Sequence, residues 1–255
     1  MGKGELVLIG LGISDERGIA LSGLEELRSC GRIFAESYTN MLPEGTLKRL
    51  EALISKQIEL LSREQVEGEK EIINAALSSS RVALVVPGDP MIATTHVSLV
   101  LAAKKKGIGV KILHASSILS AAIGESGLQA YKFGKTVTLA YWRENYKPMA
   151  AYEVISENLS RGLHTLLLLD IDEKLGPMEP SGAAALLLEM EKEGKKGVLK
   201  PETRIVLLAA LGREKQAIRY APLSSIAASP HSIPAVLIIP GELHFLEKEF
   251  LLSLQ

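Results

Sequence analysis

Five short apolar runs punctuate the first 114 residues: ELVLIG (5–10), RIFAE (32–36), QIELL (57–61), RVALVV (81–86) and GVKILH (109–114). Amphipathic stretches near 20–30, 46–55, 65–79 and 94–106 fall between them, and the last ends in Lys104, Lys105, Lys106 and Gly107, residues that suit a helix C-terminus. Apolar runs of this length read as buried strands. Strands that alternate with helices in this way close as a mostly parallel sheet covered on both faces.

The second half follows another pattern. Its strand candidates are TVTLAY (136–141), HTLLLLDI (164–171), TRIVLLAA (203–210), AIRYA (217–221) and AVLIIP (235–240). The polar segment LGREKQ joins two of them closely enough to predict an antiparallel hairpin inside a mixed sheet. Helices are expected at 148–161, at 181–193 behind a Ser181 N-cap, and at 242–254. The small-residue passage HASSILSAAIGESG (114–127) places a boundary near 115, giving α/β domains at 1–114 and 115–255.

Bulk chemistry narrows the partners. A formal net charge of −1 over 255 residues offers no global basic field for nucleic acid or an anionic membrane. The longest apolar run, TLLLLDI (165–171), falls well short of the roughly 20 residues of a membrane span. Cys30, the one cysteine, has no partner for an internal disulfide, and MGKGELVLIG runs straight into a strand without a signal-peptide pattern. A reducing cytoplasm is the compartment these features suggest.

The first run opens into GLGISDERGIA, Gly10 to Ala20. Two glycines two apart after an N-terminal strand begin a dinucleotide fingerprint, in which bare backbone meets a pyrophosphate at a helix N-terminus. The third glycine of that fingerprint falls on Asp15, whose carboxylate would repel the pyrophosphate. A tight turn with Ser14 or Asp15 capping the next helix explains the same residues. A nucleotide-dependent oxidoreductase thus rests on Gly10 and Gly12 alone.

The fourth run empties into PGDPMIATTH (87–96). Asp89 suits an N-cap, Pro90 the first helical position and Gly88 an unusual dihedral, so capping by itself would account for the turn. The small residues and hydroxyls that follow, however, leave room beside the backbone at the carboxyl end of a strand, where open α/β sheets bind ligands. With no lysine after the glycine, this acidic turn suits a cation or zwitterion better than a phosphate.

Side-chain catalysts are scarce. His96 reads first as a packing histidine, His114 and His164 sit at strand edges, and His231 and His244 fall in loop-like or surface settings. No two histidines lie at metal-ligand spacing with a carboxylate or cysteine, so no metal is expected. There is no GxSxG elbow, and Asp170 and Asp172 read as a solvated strand exit. Such a chain fits a reaction whose driving force sits in a cofactor.

Taken in order, GLGISDERGIA, AESYTN (35–40), PGDPMIATTH, HASSI (114–118), YKFGKT (131–136), RGLHTLLLLDI (161–171) and IIPGELHFLE (238–247) resemble the diphthine synthases. These are S-adenosyl-L-methionine-dependent methyltransferases of the tetrapyrrole methylase type, or class III methyltransferases. The resemblance covers essentially the whole chain. It implies two α/β domains, the first sheet mostly parallel and the second mixed, with the cofactor in the cleft between them, and a homodimer. It implies a substrate, translation elongation factor 2 carrying a 3-amino-3-carboxypropyl group on a histidine. In archaeal-type members the amino group is methylated to a trimethylammonium, and eukaryotic-type members add a methyl to the carboxylate. By matching motif, the cofactor-contacting positions are Ile13, Asp89, Ile92, Ser117, Ile118, Leu169, Leu211 and Ala235. Several are apolar, which suggests contact through backbone groups.

Methyl transfer from a sulfonium to a neutral amine disperses charge, so the pocket must align the amine behind the methyl carbon and exclude water. No residue stands out as a base, and Asp89 is expected to help hold a cationic end of cofactor or substrate. The exposed-looking segment YWRENYKP (141–148) suits a protein surface. Alternatives are a small-molecule methyltransferase of the tetrapyrrole type, the oxidoreductase above, and a noncatalytic adaptor on a methylase scaffold.

Overall fold

The computed structural model describes residues 4–36, 38, 41–172 and 174–254. Ser37, Thr39 and Asn40 of AESYTN, and the first three residues of MGKGELVLIG, lie outside the described residues. The chain divides into two compact units, Met1–Ile118 and Leu119–Gln255.

In the first unit, β1 (Glu5–Gly10), β2 (Arg32–Glu36), β3 (Glu59–Leu61), β4 (Arg81–Val86) and β5 (Gly109–Leu113) form a sheet in the order β3-β2-β4-β1-β5. All its pairings are parallel. Its central strands are buried on both sides because consecutive residues face opposite ways. Leu6, Leu8, Phe34, Val82, Leu84 and Val86 pack into one apolar cluster. Their neighbours Val7, Ile9, Ile33, Ala35, Ala83 and Val85 pack into another. The helices between strands are α1 (Leu21–Ser29), α2 (Thr46–Ile54), α3 (Arg63–Glu67), α4 (Lys70–Ser78) and α5 (Val97–Lys105).

Two expectations change here. The single helix expected over 65–79 is two, because Glu69 takes a left-handed conformation with φ of 62° between α3 and α4. The helix expected from 94 starts only at Val97. Residues before it are held in bends, with Ala93 at φ 57°, so Asp89 is no N-cap and Pro90 no first helical residue.

The division between the units falls after the first residue of α6 (Ile118–Ser126), a helix made from the passage that sequence composition marks as a boundary. β6 (Val137–Leu139), α7 (Ala150–Ser160) and β7 (Thr165–Leu169) follow, then a small ribbon of β8 (Ile171–Asp172) and β9 (Gly176–Pro177). Next come α8 (Pro180–Gly194), β10 (Arg204–Ala209), β11 (Ala217–Pro222), α9 (Leu223–Ala227), β12 (Ala235–Ile239) and α10 (Phe245–Leu252). The sheet runs β11-β10-β12-β7-β6 and is mixed, with the β10–β11 hairpin antiparallel and β6–β7 parallel. Ser181 does not cap α8: Pro180 takes the first helical position and Glu179 the N-cap position without a side-chain cap. The core on one face of this sheet joins Leu167, Leu207 and Leu237 to Tyr152 of α7 and Leu187 and Met190 of α8.

Candidate active site

In the first unit, the loops leaving β1, β4 and β5 meet at the carboxyl edge of the sheet. β1 lies between the other two strands, and Gly10 at its end carries no side chain, so the flanking loops close over it. A Cβ at Gly10 would stand 2.5 Å from the Gly88 carbonyl oxygen and 2.7 Å from the Ala115 Cβ. Beyond it, Gly12 and Gly88 exchange backbone hydrogen bonds, Gly12 N–H to the Gly88 carbonyl at 3.1 Å and Gly88 N–H to the Gly12 carbonyl at 2.8 Å. Both glycines have positive φ, 74° and 75°, a region open to glycine without strain. The Ile13 N–H then donates to Ser116 Oγ at 3.3 Å.

Asp89 fastens this assembly from beneath. It is 5% exposed. Its Oδ1 accepts the Met91 N–H at 2.9 Å, and its Oδ2 accepts the Ala115 N–H at 3.2 Å and lies 2.9 Å from His114 Nδ1. One carboxylate thus ties the β4 exit to the β5 exit. The structure brings together Ile13, Asp89, Ile92, Ser117 and Ile118, which all follow the carboxyl ends of these strands.

Asp15 does cap, though not a long helix: its carboxylate accepts the Arg17 N–H at the start of a three-residue helical turn and pairs with the Arg17 guanidinium. His96 is buried, and its Nδ1 lies 2.8 Å from the Pro90 carbonyl, which bridges the bends of residues 90–96.

In the second unit, Leu169, Leu211 and Ala235 lie at one end of the sheet. Ala235 faces Ala209 across the β10–β12 ladder, Val236 faces Leu168, and the Ala210 N–H donates to the Pro234 carbonyl at 2.8 Å. Asp170 and Asp172 are occupied structurally. Asp170 accepts the Tyr141 N–H, and Asp172 accepts the Lys174 and Leu175 N–H groups and pairs with Arg143.

Sequence reading missed two features. One is the His114–Asp89 contact, which the parallel order makes legible in hindsight, since an Asp and a His leave neighbouring strand ends on either side of a glycine-ended strand. The other is a buried knot in the second unit, where three diagnostic motifs converge through Lys132, His164 and Glu247. His164 and Glu247 are 0% and 1% exposed. Glu247 Oε1 accepts the Gln129 N–H and contacts His164 Nε2 at 3.1 Å, and Oε2 accepts the Lys132 ammonium and the His244 N–H. His164 Nδ1 in turn accepts the Gly241 N–H, so the ring is the neutral tautomer that donates from Nε2. Burial would raise the Glu247 carboxyl, but the Gln129 N–H, the Lys132 ammonium and the other donors hold it down at about 2. Burial lowers His164 below its ordinary value against the pull of Glu247.

Two α/β units, one with a glycine-lined, lysine-free turn at its parallel edge, fit a methylase of the tetrapyrrole class. The profile of the tetrapyrrole (corrin/porphyrin) methylases matches residues 5–227. Within that class the chain belongs to the diphthine synthase family, S-adenosylmethionine-dependent methyltransferases of diphthamide biosynthesis. It is 38% identical to the diphthine synthase of Methanothermobacter thermautotrophicus, over 98% of this chain and 95% of that one. The Methanocaldococcus jannaschii diphthine synthase is 40% identical over 96% and 97%. A crystal structure of a diphthine synthase superposes with a TM-score of 0.87 at 31% identity, covering 98% of this chain and 95% of that one.

Proposed function

We propose that the chain transfers methyl groups from S-adenosyl-L-methionine to the amino nitrogen of a 3-amino-3-carboxypropyl-histidine on translation elongation factor 2. The observation that carries this reading is the Gly12–Gly88 backbone clasp fastened by buried Asp89. It presents bare backbone at the sheet edge with no lysine for a phosphate, a seat that suits a zwitterionic sulfonium. The residues proposed to contact the cofactor are Ile13, Asp89, Ile92, Ser117 and Ile118 in the first unit and Leu169, Leu211 and Ala235 in the second. With the donor bound, the chemistry is displacement at its methyl carbon, and the chain's task is to seat, orient and keep dry. Assembly as a homodimer and a cytoplasmic location belong to the same reading.

The decisive experiment incubates the protein with S-adenosylmethionine and elongation factor 2 bearing the precursor side chain, and weighs the modified peptide. A gain in methyl units on that histidine supports the proposal. Methylation of a corrinoid or porphyrin precursor instead would assign the chain to the small-molecule branch. Binding of NAD with no binding of S-adenosylmethionine would favour an oxidoreductase, and binding of neither the adaptor.

Asp89→Ala tests whether this fastening serves the cofactor. The variant strands the partly buried Met91 and Ala115 N–H groups, each at the lower end of the about 1–3 kcal/mol that an unpaired buried donor costs. Calorimetry is expected to show S-adenosylmethionine affinity falling at least about 10-fold as the two exits lose register, about 1.4 kcal/mol. Unchanged affinity in a destabilised protein would leave Asp89 a structural residue only.

A further inference from the structure

We infer that His114 is the base that removes the proton from the substrate amine, and that Asp89 is the residue that positions it. The inference rests on the amine-methylating reading above. An α-amino group with an ordinary pKa of about 8 is mostly ammonium at neutral pH, and an ammonium has no lone pair to attack a methyl carbon. A base held beside the amine would remove that proton at the site instead of leaving transfer to the small unprotonated fraction.

His114 has the arrangement the task needs. Its Nδ1 lies 2.9 Å from Asp89 Oδ2. That carboxylate is buried and already accepts two backbone N–H groups, so it is an acceptor and Nδ1 carries the hydrogen. The other nitrogen, Nε2, is then an acceptor. The ring is 66% exposed, and Nε2 has no hydrogen bond among the described residues, so it is open to a partner from outside. A buried carboxylate that fixes the tautomer while the far nitrogen faces the reactant is the general-base geometry of carboxylate–imidazole pairs.

The ring also sits in the right place. His114 directly follows β5 and stands three and four residues before Ser117 and Ile118, while Asp89 holds the clasp at Gly88. Among the described residues Asp89 is the charged group in contact with it. His96, by contrast, is closed off, and His164 is 0% exposed and engaged at both nitrogens.

The step balances simply. The ammonium proton passes to His114 Nε2, and the freed nitrogen pair forms the C–N bond. The S–CH3 bond breaks with its electrons going to sulfur, and the imidazolium returns its proton to water before the next methyl.

The test is single-turnover transfer to elongation factor 2 bearing the precursor side chain, comparing wild type with His114→Asn. An Asn amide can still donate to Asp89 from the Nδ1 position but offers nothing at Nε2. His114→Gln, in which the Asp89 contact goes as well, serves as the second variant, and the exposed position lets both fold. The expected result is a rate loss of about 10-fold at pH 7, where only about a tenth of such an amine is already unprotonated, with S-adenosylmethionine affinity unchanged. The gap should shrink to within about threefold near pH 9.5, where the substrate amine has shed its proton unaided. A His114→Asn rate equal to wild type, a deficit that stays constant across the range, or a loss confined to cofactor affinity would each overturn the assignment. A wild-type protein that binds the cofactor but transfers nothing would overturn the amine-methylating reading, and the base with it.

Discussion

Glu247→Ala should unfold the second unit far more readily than any surface substitution, with a stability loss of about 3–5 kcal/mol, typical of breaking a buried ion pair by removing one partner. The carboxylate is 1% exposed and serves the Lys132 ammonium, His164 and the N–H groups of Gln129 and His244 at once. Its removal leaves His164 buried without an acceptor and takes the acceptor from the two partly buried N–H groups. Against a total stability of about 5–15 kcal/mol this is a large share, and the thermal midpoint should fall by about 10 °C or more. A fall of less than about 2 °C would show that the knot relaxes cheaply.

The same knot sets the acid limit. The Glu247 carboxyl is held at about 2 against an ordinary 4.5, so its contribution is complete above pH 4.5 and is lost as pH falls from there toward 2. That shift corresponds to on the order of 3 kcal/mol. His164 acts in the same direction. It is held neutral by burial and gains a proton more readily when unfolded, so its share begins to fall as pH drops below 6.5. Denaturant titrations should therefore show stability declining with pH on the acid side, and Glu247→Gln should flatten the decline below pH 4.5. An unaltered pH profile in that variant would count against Glu247 as its source.

How much of this was legible in the sequence depended on how local the signal is. The runs at 5–10, 32–36, 81–86 and 204–209 are strands because continuous apolar stretches can be buried on both faces, and burial there leaves little choice. The Gly10–Gly12 and Gly88–Asp89 turns were visible as turns at strand ends. What Asp89 does was not visible, because N-capping is a local rule and the residue instead answers to Ala115 and His114, 26 and 25 positions away. The helix Ile118–Ser126 was missed for the opposite reason. ILSAAIGES carries a glycine and serines that mark a boundary, but its alanines, leucine and isoleucines are helix formers, and their preference prevails. Lys132, His164 and Glu247 each belonged to a motif, yet only the folded chain shows that one carboxylate joins them.

Gly10→Ala is expected to cut cofactor binding severely while leaving a folded protein, because the clash it creates is with the Gly88 carbonyl and with short side-chain atoms that cannot swing away. The added methyl would lie 2.5 Å from the Gly88 carbonyl oxygen, 2.7 Å from the Ala115 Cβ and 3.0 Å from the Pro90 Cδ. None of these is the mobile end of a long side chain, so relief requires the β4 and β5 exits to move apart. Overpacking of this kind costs about 1–3 kcal/mol of stability. The clasp between Gly12 and Gly88 and the Asp89 bonds that span the two exits depend on their spacing. S-adenosylmethionine affinity should accordingly fall by about 100-fold or more in calorimetry, about 2.7 kcal/mol. Gly88→Ala is the instructive control. A Cβ there meets nothing within 4 Å, and its only penalty is the positive φ of 75°, a cost of about 1–2 kcal/mol. Space at the edge of the sheet, rather than backbone freedom, is what the first glycine supplies, so Gly10→Ala should damage binding much more than Gly88→Ala. Equal losses in the two variants would show that conformational freedom governs the turn, and the reverse order would show that the β5 exit takes no part in the site.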